Sequence, residues 1–416
     1  MKDKLDIKKT ILLSFGFFGS SLVWSVYSVY VPLLLNEFVG SAALIGIIMS
    51  IDSFFGVVFQ PLFGKISDRT RTRFGRRLPY LFVCMPISAA FFIFIPYMNS
   101  LWSLMALAIA FTFVMSIWRT PAVSLMPDST PGPLQSQGNG IVNLMGGVGA
   151  VIAFIGGGIL FDLGGFPLPF LVSALLMLGA MVVVILFVRE PKHPPLLPKE
   201  NERRSVIKLD RPERRSLLLI LFAVFFCFMG NNSIEVFFSL YAIATLGVTP
   251  GQASIMLAIF VVSLILFAIP AGILGAKIGR RKTILIGLVG VFILFLPLIF
   301  VTNPWIVRGI LLLGGIFWSC VISNALPMIV RIAGSERIGT FIGYYYLFSF
   351  SAQLITTPLY GLIYDIIGNY QSLFAYACIT FILAIVCLLF VKHGEEDPQD
   401  VSLEEADVHI ADAVES

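Results

Sequence analysis

The chain has 416 residues, of which 58% are hydrophobic and only 12% are charged, with a formal net charge of +4. A soluble domain is seldom more than about half apolar, so this composition excludes a water-soluble enzyme and indicates an integral membrane protein. The positive charge is concentrated in a few links between apolar runs, which is typical of a membrane topology signal and not of a nucleic-acid-binding surface.

Twelve apolar runs divide the chain, each long enough, at about 20 residues, to cross the hydrocarbon core of a bilayer as a helix. Segments of alternating polarity, which a membrane β-barrel needs, are absent from the sequence. Helices satisfy their backbone hydrogen bonds internally, so the sequence predicts an all-α membrane protein. The predicted spans are residues 10–36, 42–63, 78–97, 101–125, 138–161, 168–188, 216–245, 252–275, 283–301, 304–330, 338–364 and 371–391.

Positive charges lie on one side of these spans. Four lysines precede the first span, basic stretches follow spans 2, 6 and 8, and the links after the odd-numbered spans contain no Lys or Arg. The positive-inside rule therefore predicts a multi-pass protein of the cell membrane with both termini in the cytoplasm. The first span is too long for a signal-peptide core and is predicted to be a retained helix.

Composition also predicts the domain organisation. Residues 189–215 hold five prolines among charged residues and are predicted to be a cytoplasmic linker between an N-terminal six-helix bundle, 1–188, and a C-terminal one, 216–391. The tail, 392–416, is acidic and nearly free of aromatic residues, which predicts a disordered cytoplasmic segment.

The two bundles resemble each other in sequence, which predicts two six-helix pseudo-repeats. Parallel repeats of this kind are typical of transporters whose substrate site lies at the repeat interface near the middle of the membrane. The matching features are "GKISDRTRTRFGRR" (64–77) with "GILGAKIGRR" (272–281), "GILFD" (158–162) with "GLIYD" (361–365), and Tyr30 with Tyr241.

The basic loop after span 2 resembles the signature of the major facilitator superfamily, Gly-x-x-x-Asp-(Arg/Lys) followed by Gly-Arg-(Arg/Lys). The resemblance implies the major facilitator fold and a gating role, in which Gly64 lets helices approach and Asp68 pairs with an Arg or a helix N-terminus of the other half. Ala276 replaces the acid in the second copy, so a weaker contact is expected there. The predicted gating residues are Gly64, Asp68, Arg69, Gly75, Arg76, Arg77, Asp128, Gly272, Lys277, Gly279, Arg280 and Arg281.

A closer resemblance covers most of the chain. The stretches "DSFFGVVFQPLFGKISDRTRTRFGRRLPY" (52–80), "WRTPAVSLMPD" (118–128) and "GNNSIEVFFSLYA" (230–242) are similar to the glycoside–pentoside–hexuronide:cation symporter branch, and within it most similar to sucrose/maltose-type proton symporters. The resemblance implies cation-coupled sugar transport. Gly56 and Gln60 stand where the melibiose-permease relatives hold sodium with two aspartates, which favours protons over sodium as the coupling ion.

Asp52, Glu235 and Arg119 lie well inside predicted spans, where a charge costs about 2.5–3.5 kcal/mol and so needs a function. The histidines, at 193, 393 and 409, all lie in cytoplasmic segments, so a proton carrier in the membrane must be a carboxylate shielded from water. We predict proton coupling through Asp52 and Glu235, with Arg119 competing with the proton for one of them. The alternatives are a structural hydrogen bond for Asp52, a position near the outer surface for Glu235 and snorkelling to the interface for Arg119.

Substrate binding is predicted from polar and aromatic residues on the spans expected to line the site, because a sugar needs hydrogen bonds and an aromatic face for its ring. Asn231 and Asn232 are the strongest candidates, since two adjacent carboxamides in an apolar helix are costly without partners. For the aromatic residues, packing or lipid contact is the alternative. The remaining candidates are Trp24, Tyr27, Tyr30, Asn143, Asn324, Tyr345 and Gln353.

These observations predict a secondary active transporter, a proton-coupled symporter of a sugar or glycoside that works by alternating access. Two alternatives stay open, a proton-coupled exporter of drugs or amphiphilic metabolites and a non-transporting membrane sensor or scaffold. The sequence has no GxxxxGK(S/T) motif and no CxxC pair among its five cysteines, so no nucleotide, cofactor or metal site is predicted. The expected partners are the substrate, a coupling cation and the lipid bilayer, with the chain acting as a monomer.

Overall fold

A computed structural model describes residues 5–130, 134–188, 190, 211–333 and 338–391, and within these ranges the chain forms helices and no strands. Short 3-10 turns extend the third and ninth helices at Ile95–Tyr97 and Leu296–Ile299. The helices are α1 (Ile7–Phe38), α2 (Ala42–Arg69), α3 (Leu78–Phe94), α4 (Leu101–Ser129), α5 (Gln135–Gly164), α6 (Pro167–Phe187), α7 (Arg211–Leu246), α8 (Pro250–Ile278), α9 (Arg280–Phe295), α10 (Pro304–Ala333), α11 (Ile338–Ile367) and α12 (Ser372–Leu389).

Two helices have features that the predicted spans do not include, α7 in where it begins and α11 in its polarity. Helix α7 begins at Arg211, so the last five residues assigned to the linker belong to a helix. Eleven of the helices in the described ranges are long and apolar enough to cross a membrane, and α11 is the exception because tyrosines, threonines, Gln353 and Asp365 dilute its apolar residues. The rest of the linker, apart from Glu190, and the tail lie outside the described residues.

The same helix pairs pack together in both halves. In the first half α1 packs on α5 and α6, and α4 packs on α2 and α3; in the second half α7 packs on α11 and α12, and α10 packs on α8 and α9. Each pair in the second half is the first-half pair moved six helices along the chain, as the sequence repeat predicts. The two halves meet through α2 with α11, α5 with α8, and α1 with α7.

The two ends of the bundle differ in how closely the halves approach. We call the end that carries Arg76, Arg77, Arg280 and Arg281 the basic face, and the other end the opposite face. Near the opposite face, a Cβ atom at Gly46 of α2 would overlap the backbone of Thr357 in α11, and one at Gly158 of α5 would lie 2.6 Å from the carbonyl oxygen of Gly251 in α8. The halves are therefore in backbone contact at the opposite face.

The outer surface of the bundle is apolar. Large side chains such as Phe300, Trp102, Trp305 and Ile366 are more than three-quarters exposed, and only 22% of the most apolar window of α8 is buried within the protein. Helices that are apolar on every side face either a protein core or lipid. Because these faces have no protein cover, they form the lipid-contacting surface of a membrane protein.

Candidate functional site

A cavity of about 1560 Å³ lies between the two halves and opens toward the basic face. The first half contributes α1, α2, α4 and α5, and the second half contributes α9, α10 and α11. Gly56 of α2 packs against Phe350 of α11 at the inner end, where a Cβ atom on the glycine would lie 3.2 Å from the phenyl ring. The site is thus accessible from one face and closed by contacts between the halves on the other.

The cavity wall is mostly apolar, with a band of uncharged polar groups and a few cations. The apolar part includes Phe17, Val57, Leu326, Val330, Ile342, Leu347 and Phe350, and the polar part includes Gln60, Thr120, Ser124, Asn139, Asn143, Tyr344 and Tyr346. Three arginines line it, Arg119, Arg280 and Arg331. Among the described lining residues there is no Asp or Glu, so every charged side chain in the described lining is a cation.

Two carboxylates lie beyond the inner end of the cavity, within the apolar helices α2 and α7. Asp52 is 5% exposed and precedes the cavity-lining Gly56 by one helical turn on α2. Glu235 on α7 accepts a hydrogen bond of 2.9 Å from the indole Nε1 of Trp24 on α1. This bond connects the two halves directly, and it places Glu235 within the protein and not at the outer surface.

Arg119 on α4 connects the cavity to this pair, because its charge interacts electrostatically with both Asp52 and Glu235. In the part of the chain that the structure describes, it forms no ion pair of 4.0 Å or less with either carboxylate. The three predicted coupling residues are therefore within electrostatic range of one another, and their role in coupling stays a prediction. Tyr27 completes the cluster by stacking on Trp24, with ring centroids 5.5 Å apart.

Replacing Trp24 with Phe is expected to lower the transport rate about tenfold, since a hydrogen bond to a charged group is worth about 1.5–3 kcal/mol. The phenyl ring keeps the stack on Tyr27 but cannot donate to Glu235. The measurement is the initial rate of transport in proteoliposomes, normalised to the amount of folded protein. Tyr27→Phe is the matched control, because it removes a polar group from the same stack and leaves the Trp24–Glu235 bond in place; an equal loss in that variant would show that the effect is not specific to this bond.

The structure brings only some of the predicted substrate residues to the cavity. Asn143 lines it, whereas Asn231 and Asn232 lie one turn from Glu235 on α7 and are not among the described lining residues. Tyr345 packs against Phe228 of α7, while its neighbours in sequence line the wall. Gln353 lies on α11 beyond Phe350, also outside the described lining.

Two of the predicted substrate residues have packing roles. The amide of Asn324 donates to the carbonyl oxygens of Ala271 and Cys320, at 3.0 and 2.9 Å, and so holds α10 against α8. The ring of Tyr30 is fully buried and stacks on Phe161 within the first half. These contacts give both side chains a packing role; their part in substrate binding stays a prediction.

The predicted gating loop folds onto its own half. The Arg77 guanidinium is nearly fully buried and binds Asp68 at 2.5 Å and Asp128 at 2.9 Å, and it also donates to Ser67. Arg76 binds Asp128 at 2.6 Å. In this conformation, which is open at the basic face, the described partners of Asp68 are arginines of its own half; its predicted partner in the other half stays a prediction.

Glu190 is a member of this network that the sequence reasoning missed. Its carboxylate accepts hydrogen bonds from the backbone N–H groups of Arg76, Arg77 and Leu78, at 2.7, 2.8 and 2.6 Å, and so caps the N-terminus of α3. Gly75 has φ = +112° and no room for a Cβ atom beside that carboxylate. The available signal was an acidic residue at the start of the predicted linker, 189–215. The sequence reasoning treated Glu190 only as one of the linker's charged residues.

The second copy of the loop is built differently. Gly279 has φ = +96° and begins α9, and Arg281 donates to the carbonyl oxygens of Leu388 and Leu389 at the end of α12. Lys277 is exposed, and a Cβ atom at Gly272 would meet no atom within 4 Å. By contrast, one at Gly64 would lie 3.3 Å from Thr120. The close helix contact of the second copy is at Gly275 instead, where a Cβ atom would overlap the side chain of Asn324 in α10. Arg69 of the first copy is the last residue of α2.

A two-half helix bundle with an interfacial cavity and an arginine-rich loop can be compared with known proteins. The family model described as Major Facilitator Superfamily matches residues 13–244 and 220–414, nearly the whole chain in two overlapping segments. The chain belongs to the major facilitator superfamily. This superfamily protein is therefore a membrane transporter and not an enzyme.

Two relatives of this superfamily protein are similar along most of their length, and a third is similar over a shorter segment. A multidrug resistance protein, MdtG, of Escherichia fergusonii is 24% identical over 370 residues, covering 86% of this chain and 88% of the relative. The class B tetracycline resistance protein of Escherichia coli is 26% identical over 310 residues, covering 68% and 72%. An uncharacterized symporter of Synechocystis is 30% identical over 141 residues, covering 31% of this chain and 26% of the relative.

The fold is also similar to solved structures. A bacterial homologue of the human lysosomal transporter Spinster, in an inward-facing and unoccupied conformation, superposes with a TM-score of 0.70 at 13% identity, covering 94% of this chain and 95% of that one. At this identity the likeness concerns the fold alone.

Proposed function

We propose that this superfamily protein is a proton-coupled exporter of amphiphilic organic molecules that are neutral or acidic. The observation that carries this proposal is the cavity, which is large, mostly apolar and lined by three arginines but, within the described residues, by no carboxylate. Ligand sites usually measure about 300–1,000 Å³, so 1560 Å³ suits bulky or varied substrates. The named drug-resistance relatives, similar over most of their length, support the same direction.

The proposed coupling uses the two carboxylates past the inner end of the cavity. A proton that arrives from the opposite face neutralises Asp52 or Glu235 and frees Arg119 from that carboxylate. With the proton bound, the bundle returns to the arrangement open at the basic face, where loss of the proton restores the electrostatic contact with Arg119. Substrate enters the cavity only in this deprotonated arrangement and leaves at the opposite face before the next proton binds. Proton and substrate therefore cross the membrane in opposite directions.

The proposed orientation places the basic face in the cytoplasm of a cell, with both termini on that side, because the basic links all belong to that end of the bundle. The conformation described above is then open to the cytoplasm. The chain is proposed to act as a monomer in the cell membrane, since a single chain supplies both halves of the cavity wall.

The sugar symporter function is the second candidate, and it rests on the resemblance of residues 52–80 and 118–128 to the sugar symporter branch and on the symporter relative. Its weakness lies in the cavity wall. Asn324 is engaged in helix packing, and Asn231, Asn232 and Gln353 are outside the described lining, so Asn143 is the one predicted substrate-binding amide among the described lining residues.

Purified protein in proteoliposomes distinguishes these functions by the direction of the pH gradient. For an exporter, an acidic lumen is expected to drive accumulation of an acidic fluorescent dye through molecules whose basic face is outside. For a sugar symporter, an acidic exterior drives accumulation of labelled mono- or disaccharides. Uptake of a cationic dye in preference to the acidic one would contradict the proposed substrate class, and no flux of any probe would favour a sensor or scaffold.

A further inference from the structure

At the opposite face, an aspartate of the second half caps a helix of the first half. The Asp365 carboxylate, near the end of α11, accepts a hydrogen bond from Ser41 Oγ at 2.6 Å and from the backbone N–H groups of Ala42 and Ala43 at 2.7 and 3.1 Å. These groups are the N-cap and the first two residues of α2. Asp365 thus satisfies N–H groups that have no partner within their own helix.

The other half makes the corresponding contact. Asp162, near the end of α5, accepts a hydrogen bond of 3.1 Å from Thr249 Oγ1, the N-cap of α8. A Cβ atom at Gly251, on the first turn of α8, would lie 2.5 Å from Asp162 Oδ1, so the carboxylate lies directly on that turn. The two aspartates are the final residues of "GILFD" and "GLIYD", the repeat for which sequence reasoning found no function.

These contacts are suited to repeated opening and closing. A carboxylate at a helix N-terminus gains both hydrogen bonds and the favourable end of the helix dipole. Both aspartates are exposed to solvent in the closed arrangement, so separating the halves does not require a buried charge to find new partners. The contacts flank the places where α2 meets α11 and α5 meets α8 through glycine.

We propose that Asp162 and Asp365 form an opposite-face latch, a pair of gating residues that hold the halves together at that face by capping α8 and α2 across the interface. Release of the latch is required before the cavity opens to the opposite face. The latch rests on the proposed function only in assuming that the halves alternate between two arrangements; it does not depend on the substrate or on the coupling ion.

The test measures distances between the halves by double electron–electron resonance on the full-length protein in nanodiscs without substrate. One pair of spin labels, at positions 99 and 302, reports the opposite face, and a second pair, at positions 71 and 282, reports the basic face; all four positions are exposed. Samples without added cysteines measure background labelling of the five native ones, which are buried or half-buried.

Asp365→Ala is expected to raise the ratio of the long-distance to the short-distance population at the opposite face about tenfold, the effect of losing a helix cap. The basic-face distance should shorten in parallel. Asp365→Asn should have a smaller effect, because Asn also caps helices but carries no charge, and Asp162→Ala should have a smaller effect than Asp365→Ala because Asp162 accepts fewer bonds. Glu37→Ala removes an exposed carboxylate at the same face and should leave both distances unchanged.

The latch is rejected if Asp365→Ala and Glu37→Ala give the same distances. It is also rejected if both label pairs lengthen together, since that result describes a loosened bundle and not a released gate. These outcomes are independent of the transport assay, in which failure of the unmutated protein to move dye would contradict the proposed function while leaving the latch intact.

Discussion

Asp52→Asn is expected to abolish dye accumulation driven by an acidic lumen, down to the level of protein-free liposomes. The amide has nearly the shape of the carboxyl group but cannot carry a proton, and Asp52 is almost fully buried next to the Arg119 charge. Exchange of dye at equal pH on both sides should continue, because the cavity itself is unchanged. The measurement compares gradient-driven accumulation with exchange in the same proteoliposomes.

Two further variants define the role of Asp52. Asp6→Asn is the matched control, since Asp6 caps α1 outside the spans and Asn preserves that cap; it should transport normally. Glu235→Gln keeps a hydrogen-bond acceptor for Trp24 and tests whether the second carboxylate is also needed. Full accumulation by both Asp52→Asn and Glu235→Gln would show that neither residue carries the coupled proton.

Gly46→Leu is expected to lower transport at least tenfold, because the halves can no longer close at the opposite face. Even a Cβ atom at this position would overlap the backbone of Thr357, and a backbone cannot move aside as a flexible side chain does. Overpacking of a tight contact costs about 1–3 kcal/mol, which is enough to depopulate the closed arrangement. The readouts are the initial transport rate and the opposite-face distance described above.

The control for this variant is Gly309→Leu. Gly309 lies within α10 and a Cβ atom there would meet nothing within 4 Å, so the same change in helix propensity occurs without a clash. Normal transport by Gly309→Leu alongside loss in Gly46→Leu would assign the effect to the contact between the halves. Loss in both would indicate that the membrane helices do not tolerate the substitution in general.

The fold could be predicted from the sequence because its signals are local. Apolar runs of membrane length, alternating charge in the links and the repeated loop motif each lie within a few tens of residues. Two details depend on more than local composition: polar residues dilute the apolar ones of α11, and α7 begins at Arg211, earlier than the change in composition at 216.

The site was predicted only in part, for a related reason. Asp52, Glu235 and Arg119 could be found because charge inside an apolar run is conspicuous, and the structure places them close together. Whether an amide faces the cavity or a neighbouring helix depends on contacts that no local pattern shows, as with Asn324 and Ala271. The Asp365 contacts join residues more than 320 positions apart, beyond the reach of spacing arguments.

The same helix pairs recur six helices further along the chain, and this repeat has a mechanical consequence. The contact between α2 and α11 corresponds to the contact between α8 and α5 when each helix is replaced by its counterpart in the other half. An approximate two-fold rotation therefore relates the two contacts. When one block rocks against the other about an axis in the membrane plane, the two contacts are strained equally because the two-fold symmetry exchanges them. The six-helix blocks can therefore remain stiff throughout the cycle, and the energy that separates the two end states is concentrated where the blocks touch.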